Sequence, residues 1–174
     1  MRENFRLRLY LETTTFNWFF DERPGHVEVV KLFEAVRAGK FIGYTSEYVA
    51  EELKKAEEPK RTNMLSLIDR YGITELASKP EVIGLAEEYV KAGAVPKSQS
   101  FDSLHIAFAS VHGLSAVVSY NFHHINRNKT KVLIPLINER HGFRGMIMFL
   151  TAKEVFDYAQ LLQGGGRPCP DGSD

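Results

Sequence analysis

Four oxygen-bearing side chains stand where this chain could do chemistry: Glu12, Glu52, Asp102 and Asn121. Asp102 falls in the first turn of a helix that the sequence predicts from Ser100, its expected N-cap, to a stop at Gly113. Leu104, Ile106, Ala107, Phe108, Ala109 and Val111 cover most of that helix, leaving a narrow polar stripe at Ser103 and Ser110. The helix dipole alone favours an acid there, so Asp102 taken singly also has a purely structural reading. Glu52 is less ordinary. With Val49, Leu53 and Ala56 as the buried stripe of their helix, Glu52 lies about 60° from Val49, and Glu51 points about 160° away. A carboxylate at a core edge needs a partner, because an unpaired buried charge is costly; an Arg or a Lys would serve, unless the side chain simply snorkels to water. Oxygen ligands of this kind suit a hard divalent cation, since Mg²⁺ is usually held by one or two carboxylates together with waters and substrate phosphate. Such an ion acidifies water, polarises a phosphoryl oxygen and offsets the repulsion between an acidic pocket and a phosphate backbone.

The elements that must position these residues read in order as alternating strands and helices. Phe5 to Leu11 alternates, with Leu7, Leu9 and Leu11 on one face and Arg6, Arg8 and Tyr10 on the other. Glu12 and the three threonines after it close this strand in a turn. Pro24 suits the first turn of a helix with the stripe Val29, Leu32, Phe33 and Val36, stopped by Gly39. A second strand spans Phe41 to Thr45, and Ser46 caps the helix that carries Glu52. Further helices are expected over Met64 to Tyr71, Glu81 to Ala92 and part of residues 130–141, where Pro135 starts or kinks the helix. Strands are expected at Ile73 to Leu76, Ala116 to Tyr120 and Met146 to Leu150, and the capping box Thr151 to Glu154 opens a last helix. This alternation implies an α/β sandwich around a mainly parallel sheet of about five strands. Its crevice lies at the carboxyl ends of the strands, where Glu12 and Asn121 follow the first and fourth strands.

Composition narrows the setting. The 174 residues are 44% apolar and 25% charged, as expected of one globular domain over residues 1–163, with a disordered tail over 164–174. Cys169 is the only cysteine, which excludes a disulfide framework, and no secretion signal or membrane span is evident, so a cytoplasmic protein is expected. With 22 basic and 22 acidic residues the net charge is zero and gives no hint of a nucleic-acid partner. The local runs Lys54, Lys55, Lys60, Arg61 and Arg127, Lys129, Lys131, Arg140, Arg144 could track a phosphate backbone or be solvated faces. His105, His112, His123 and His124 lack zinc-ligand spacing, and His105, three residues after Asp102, is placed to brace it. No nucleophile elbow and no glycine-rich phosphate loop is present.

Four segments in register carry a resemblance. Tyr10-Leu-Glu-Thr-Thr-Thr-Phe-Asn17, Ser46-Glu-Tyr-Val-Ala-Glu-Glu-Leu53, Phe101-Asp-Ser-Leu-His-Ile-Ala-Phe-Ala109 and Ser119-Tyr-Asn-Phe-His-His-Ile125 together resemble the PIN-domain family, and most closely its VapC-type toxin ribonucleases. The resemblance covers about residues 7–150. It implies a three-layer α/β/α fold, Mg²⁺ or Mn²⁺ held by clustered acids, cleavage of single-stranded RNA or structured RNA loops, an antitoxin protein as partner, and a homodimer. Glu12, Glu52 and Asp102 match the family's metal-binding acids and Asn121 its fourth catalytic position; Thr14 matches the hydroxyl residue that supports the first acid, with His105 a further supporting residue. Two positions depart from the pattern: Glu12 is one methylene longer than the usual Asp, and Asn121 replaces a charge with an amide. The departures keep a second reading open, a catalytically weak or inactive PIN-like module that binds RNA or protein.

Overall fold

A computed structural model describes residues 6–121 and 128–164. The strands are β1 (Arg8–Leu11), β2 (Ile42–Ser46), β3 (Thr74–Leu76), β4 (Ala116–Val118) and β5 (Met148–Leu150). They form one sheet in the order β3-β2-β1-β4-β5, and every pairing is parallel. β1 is central, with Leu9 in register with Gly43 on one side and Ala116 on the other. The chain steps outward from β1 to β3, then returns to lay β4 on the opposite edge of β1. That reversal makes the carboxyl ends of β1 and β4 a topological switch point, where open α/β sheets form their crevice.

The helices are α1 (Thr13–Trp18), α2 (His26–Arg37), α3 (Glu47–Leu53), α4 (Lys60–Arg70), α5 (Pro80–Lys91), α6 (Ser100–Val111), α7 (Asn128–Arg140) and α8 (Ala152–Gly164). Right-handed crossovers place helices on one face while the chain moves outward and on the other once it reverses. Accordingly α2 packs on α8, and α5 packs on α6 and α7, giving a three-layer α/β/α sandwich. Leu9, Leu11, Phe16, Phe33, Phe108 and Val118 are wholly buried between the layers. Each such side chain contributes about 1.5–3 kcal/mol by leaving water. Among the described residues, no helix is long and apolar enough to cross a membrane.

Several boundaries differ from the sequence expectation, each for a local reason. Tyr10 is fully buried, because helices cover the sheet on both faces and its strand has no solvent side. The threonine run does not merely turn: Glu12 acts as N-cap, its carboxylate accepting from Thr14 N, and the threonines open α1. α2 starts at His26, after Gly25 at φ +101°, rather than at Pro24. A Cβ at Gly25 would come within 3.0 Å of the Trp18 ring, so the turn needs glycine for space as well as for backbone angle. α6 includes Ser100 in its first turn after a 3-10 turn at Lys97–Gln99, so Gln99, without a side-chain cap, takes the N-cap position. Ser103 and Ser110 are buried rather than a polar stripe, their hydroxyls donating to the carbonyls of Ser100 and Ile106. β4 ends at Val118, Met146 lies outside β5 and is 78% exposed, and Pro135 sits inside α7. The Thr151–Glu154 capping box forms as read, with Thr151 N donating to the Glu154 carboxylate and Glu154 N to the Thr151 hydroxyl. Gly164 closes α8, and the rest of the expected disordered tail, with Cys169, lies outside the described residues.

Candidate metal centre

The centre is built from three elements that meet at the switch point. Glu12 leaves β1 with its backbone N–H still donating to Val118 O of β4 at 3.2 Å, so the sheet fixes its Cα. Its carboxylate then folds over the start of α1 and accepts from Thr14 N at 3.1 Å and from the Thr14 hydroxyl at 2.6 Å. The Thr14 hydroxyl also accepts from Tyr120 N at 2.9 Å, and Ser119 Oγ lies 3.3 Å from it and accepts from Asn121 N at 2.9 Å. The extra methylene of Glu12 is thus taken up by a hydrogen-bonded loop that joins β1 to the segment after β4.

Glu52 comes from the last turn of α3, whose N-terminus is capped by the Ser46 hydroxyl accepting from Val49 N. Its side chain is 25% exposed, and its carboxylate accepts from the Thr13 hydroxyl. Neighbouring Glu51 faces solvent at 66% exposure and pairs with Lys54 at 2.6 Å. The helical geometry separates the two residues in the sense that the stripe at Val49 and Leu53 requires.

The third contributor is His105, from the second turn of α6 and buried to 5% exposure. Its Nδ1 lies 2.9 Å from the Tyr10 hydroxyl, which is in turn 2.7 Å from Ser46 Oγ. Its Nε2 faces the Glu52 carboxylate at 3.8 Å, beyond hydrogen-bond reach. Ligand atoms of Glu12, Glu52 and His105 all lie within 4.8 Å of one another. His105 thus contacts both Tyr10 and Glu52. Asp102 is half-buried one turn earlier on α6 and, among the described residues, is not a member of this three-residue group; Asn121 is exposed just past β4. His123, His124 and Arg127 lie outside the described residues.

The electrostatics follow from burial. Desolvation pushes the Glu12 carboxyl above its ordinary range, although the Thr14 and Ser119 hydroxyls pull it back. Burial lowers His105 to about 4, against the attraction of Glu52, so its imidazole is neutral. Desolvation raises the Tyr10 phenol far above its usual value, which keeps it a neutral hydroxyl. Among the described residues no Lys or Arg forms an ion pair with Glu12 or Glu52. The basic run beside α3 is largely spoken for: Lys54 pairs with Glu51, Lys60 with Asp21 and Arg61 with Glu58, while Lys55 lies over the Phe101 ring. Two carboxylates and a neutral imidazole therefore come together with no Lys or Arg paired to either acid among the described residues. That donor set suits a divalent ion, and the residues present fit one.

Thr13, Tyr10, Ser46 and Ser119 were not singled out for the site from the sequence. Ser46 was legible only as a cap, and Tyr10 only as a residue on the strand face opposite Leu9 and Leu11. A tyrosine in a strand that must be covered on both faces was the available signal.

No family model matches this chain, and no curated protein matches it in sequence. In structure it is similar to a crystal structure of VapBC2 from Rickettsia felis bound to a DNA fragment from their promoter, with a TM-score of 0.52 over 83% of this chain and 98% of that one. The two share 11% sequence identity, so the likeness is one of fold. The five-stranded parallel sheet with helices on both faces is thus a PIN-like α/β/α fold.

Proposed function

We propose that this chain is a divalent-metal-dependent endoribonuclease that cleaves single-stranded RNA or structured RNA loops, acting as the toxin of a toxin–antitoxin pair. The observation that carries the reading is the convergence of Glu12, Glu52 and His105 within 4.8 Å at the switch point of a PIN-like sheet. Two core-edge carboxylates that have no Lys or Arg ion-pair partner among the described residues are costly to retain unless a cation is to join them. The likeness of fold to a VapBC2 structure supports an antitoxin partner, and the resemblance of the four sequence segments supports RNA as substrate and a cytoplasmic homodimer.

When bound, Mg²⁺ or Mn²⁺ supplies positive charge for the scissile phosphate and an acidified water. The chain's own residues supply the framework. Glu12 and Glu52 would hold the ion, with Asp102 adding a third carboxylate from the start of α6. Thr14 and Thr13 fix the orientation of the two glutamates through the hydrogen bonds described above. Asn121, exposed at the edge of the crevice, would position water or substrate phosphate through its amide.

The test is cleavage of labelled single-stranded RNA with Mg²⁺, Mn²⁺ or EDTA, comparing wild type with Asp102→Asn. Metal-dependent cleavage that falls to the EDTA background in the variant is the expected result. Absence of cleavage in wild type with either metal, together with retained RNA binding, would favour the non-catalytic module that Glu12 and Asn121 keep open.

A further inference from the structure

Resting on the metal-dependent reading, we infer that His105 is itself a ligand through Nε2, and that Tyr10 and Ser46 hold the ring in the tautomer this requires once an ion binds, so that the centre prefers nitrogen-accepting transition-metal ions to Mg²⁺. The geometry comes first. His105 is buried, its Nδ1 is engaged by the Tyr10 hydroxyl, and Nε2 is the ring nitrogen that faces Glu52, in a group that Glu12 completes. Nε2 stands 3.8 Å from Glu52, too far for a hydrogen bond and suited to an ion lying between them.

The hydrogen-bond chain has two self-consistent directions. In one, Ser46 donates to Tyr10, Tyr10 donates to Nδ1, and the ring proton sits on Nε2, aimed at Glu52. In the other, Nδ1–H donates to the Tyr10 oxygen, Tyr10 donates to Ser46, and Nε2 presents a lone pair to the carboxylates. A neutral imidazole has one proton, so the partner of Nδ1 decides which nitrogen can ligate. Tyr10 can play either part because a hydroxyl donates and accepts, and Ser46 Oγ can receive its proton while still accepting from Val49 N. The second direction is the arrangement in which a metal-bound histidine is held by its other ring N–H. Tyr10 and Ser46 are therefore positioning residues, and ligand binding selects one direction of the chain.

The consequence is selectivity. Mg²⁺ demands oxygen ligands and dehydrates reluctantly, and imidazole favours Zn²⁺ and its neighbours in the transition series. A centre that adds an imidazole to its carboxylates discriminates where an all-carboxylate centre does not.

The experiment uses the full chain with the metals alone as probes. Nitrogen-15 spectra of the wild-type histidine rings, with His105 assigned through its backbone, are recorded without metal, with Mg²⁺ and with Zn²⁺; Zn²⁺ is diamagnetic and accepts nitrogen ligands. Zn²⁺ is expected to move the His105 proton to Nδ1 and shift Nε2 to a metal-bound position, with Mg²⁺ having much the smaller effect. Calorimetric titration then compares wild type with His105→Asn, which keeps a polar group near Tyr10 and removes Nε2. The variant is expected to lose about tenfold or more of Zn²⁺ affinity with little change for Mg²⁺, and Tyr10→Phe to fall between. If Zn²⁺ binds at Glu12 and Glu52 while His105 retains its Nε2 proton, or if His105→Asn leaves the Zn²⁺-to-Mg²⁺ ratio unchanged, His105 is not a ligand, and the ribonuclease reading stands without it. If no divalent ion binds the wild type at millimolar concentration, the metal-dependent reading falls and this inference with it. The wild-type spectra decide the question even where a variant fails to fold.

Discussion

The hydroxyl of Thr13, in the first turn of α1, donates to the carboxylate of Glu52, in the last turn of α3. One hydrogen bond thus couples the segment that carries Glu12 to the helix that carries the second acid. Thr13→Val keeps the side-chain shape and removes the donor. Hydrogen bonds to charged groups contribute about 1.5–3 kcal/mol, so the variant should be destabilised at the lower end of that range, its acceptor being partly open to water. Loss of orientation at Glu52 should also weaken divalent-ion binding by about tenfold. Thermal melts and a Mn²⁺ titration check both effects. An unchanged titration would mean that Glu52 is oriented by something other than Thr13.

Glu51 and Glu52 are consecutive in sequence, but their substitutions should separate cleanly. Glu51→Gln removes only an exposed pair with Lys54 and should change stability by no more than about 0.5 kcal/mol, with cleavage intact. Glu52→Gln preserves an acceptor for Thr13 and removes one of two facing carboxylates. It should reduce metal binding and cleavage, and raise the melting temperature in EDTA by relieving repulsion between Glu52 and Glu12. An inactive Glu51→Gln with an active Glu52→Gln would overturn the assignment of the second acid.

Glu12 gives a prediction whose sign depends on pH. Burial raises its carboxyl above the ordinary value of 4.5 in the folded state. Folding therefore favours the protonated form, so this group's contribution to stability is full below the unfolded value and is lost as pH rises through the folded one. Glu12→Gln keeps an acceptor for Thr14 and has no charge to desolvate. Without metal the variant should melt higher than wild type at pH 7, and the gap should close as pH is lowered through 4.5. Denaturation midpoints in EDTA at a series of pH values test this, and a gap that widens on acidification would contradict the burial argument.

How much of this was legible in the sequence depends on the range of the interactions involved. Glu52 could be told from Glu51 because a helix fixes the angle between neighbours, a purely local property. The Thr151–Glu154 capping box was legible for the same reason. α1 was not, since three consecutive threonines disfavour a helix and only the folding-back of the Glu12 carboxylate onto Thr14 N secures its start. The burial of Tyr10 was not legible, because alternation places it opposite Leu9 and Leu11 but cannot tell a strand covered on one face from one covered on both. The pairing of His105 with Tyr10 spans 95 residues and depends on β1, α3 and α6 meeting at the switch point, which local patterning does not encode. Asp102 was the acid most prominent in the sequence, yet the group brought closest together uses the histidine one turn later.

Asn121 is where charge can be added to test the reach of the centre. Its backbone N–H donates to Ser119 Oγ, which adjoins the Thr14 hydroxyl that holds Glu12, so its position is tied to the first acid by three consecutive hydrogen-bonding steps. Its side chain is exposed at the carboxyl end of β4. Asn121→Asp preserves size and adds a negative charge on the side where Glu12 and Glu52 already face one another. Water screens an exposed group, so the cost in the metal-free protein should stay below about 1 kcal/mol. A bound divalent ion should reverse that cost, because its charge is attracted to every carboxylate around it. The variant should therefore melt slightly lower than wild type in EDTA and show a larger upward shift when Mn²⁺ is added. High salt should shrink the metal-free difference, as expected of an exposed charge. If the Mn²⁺-induced shift is the same in both proteins, Asn121 does not face the ion, and the amide acts on substrate or on nothing in the reaction.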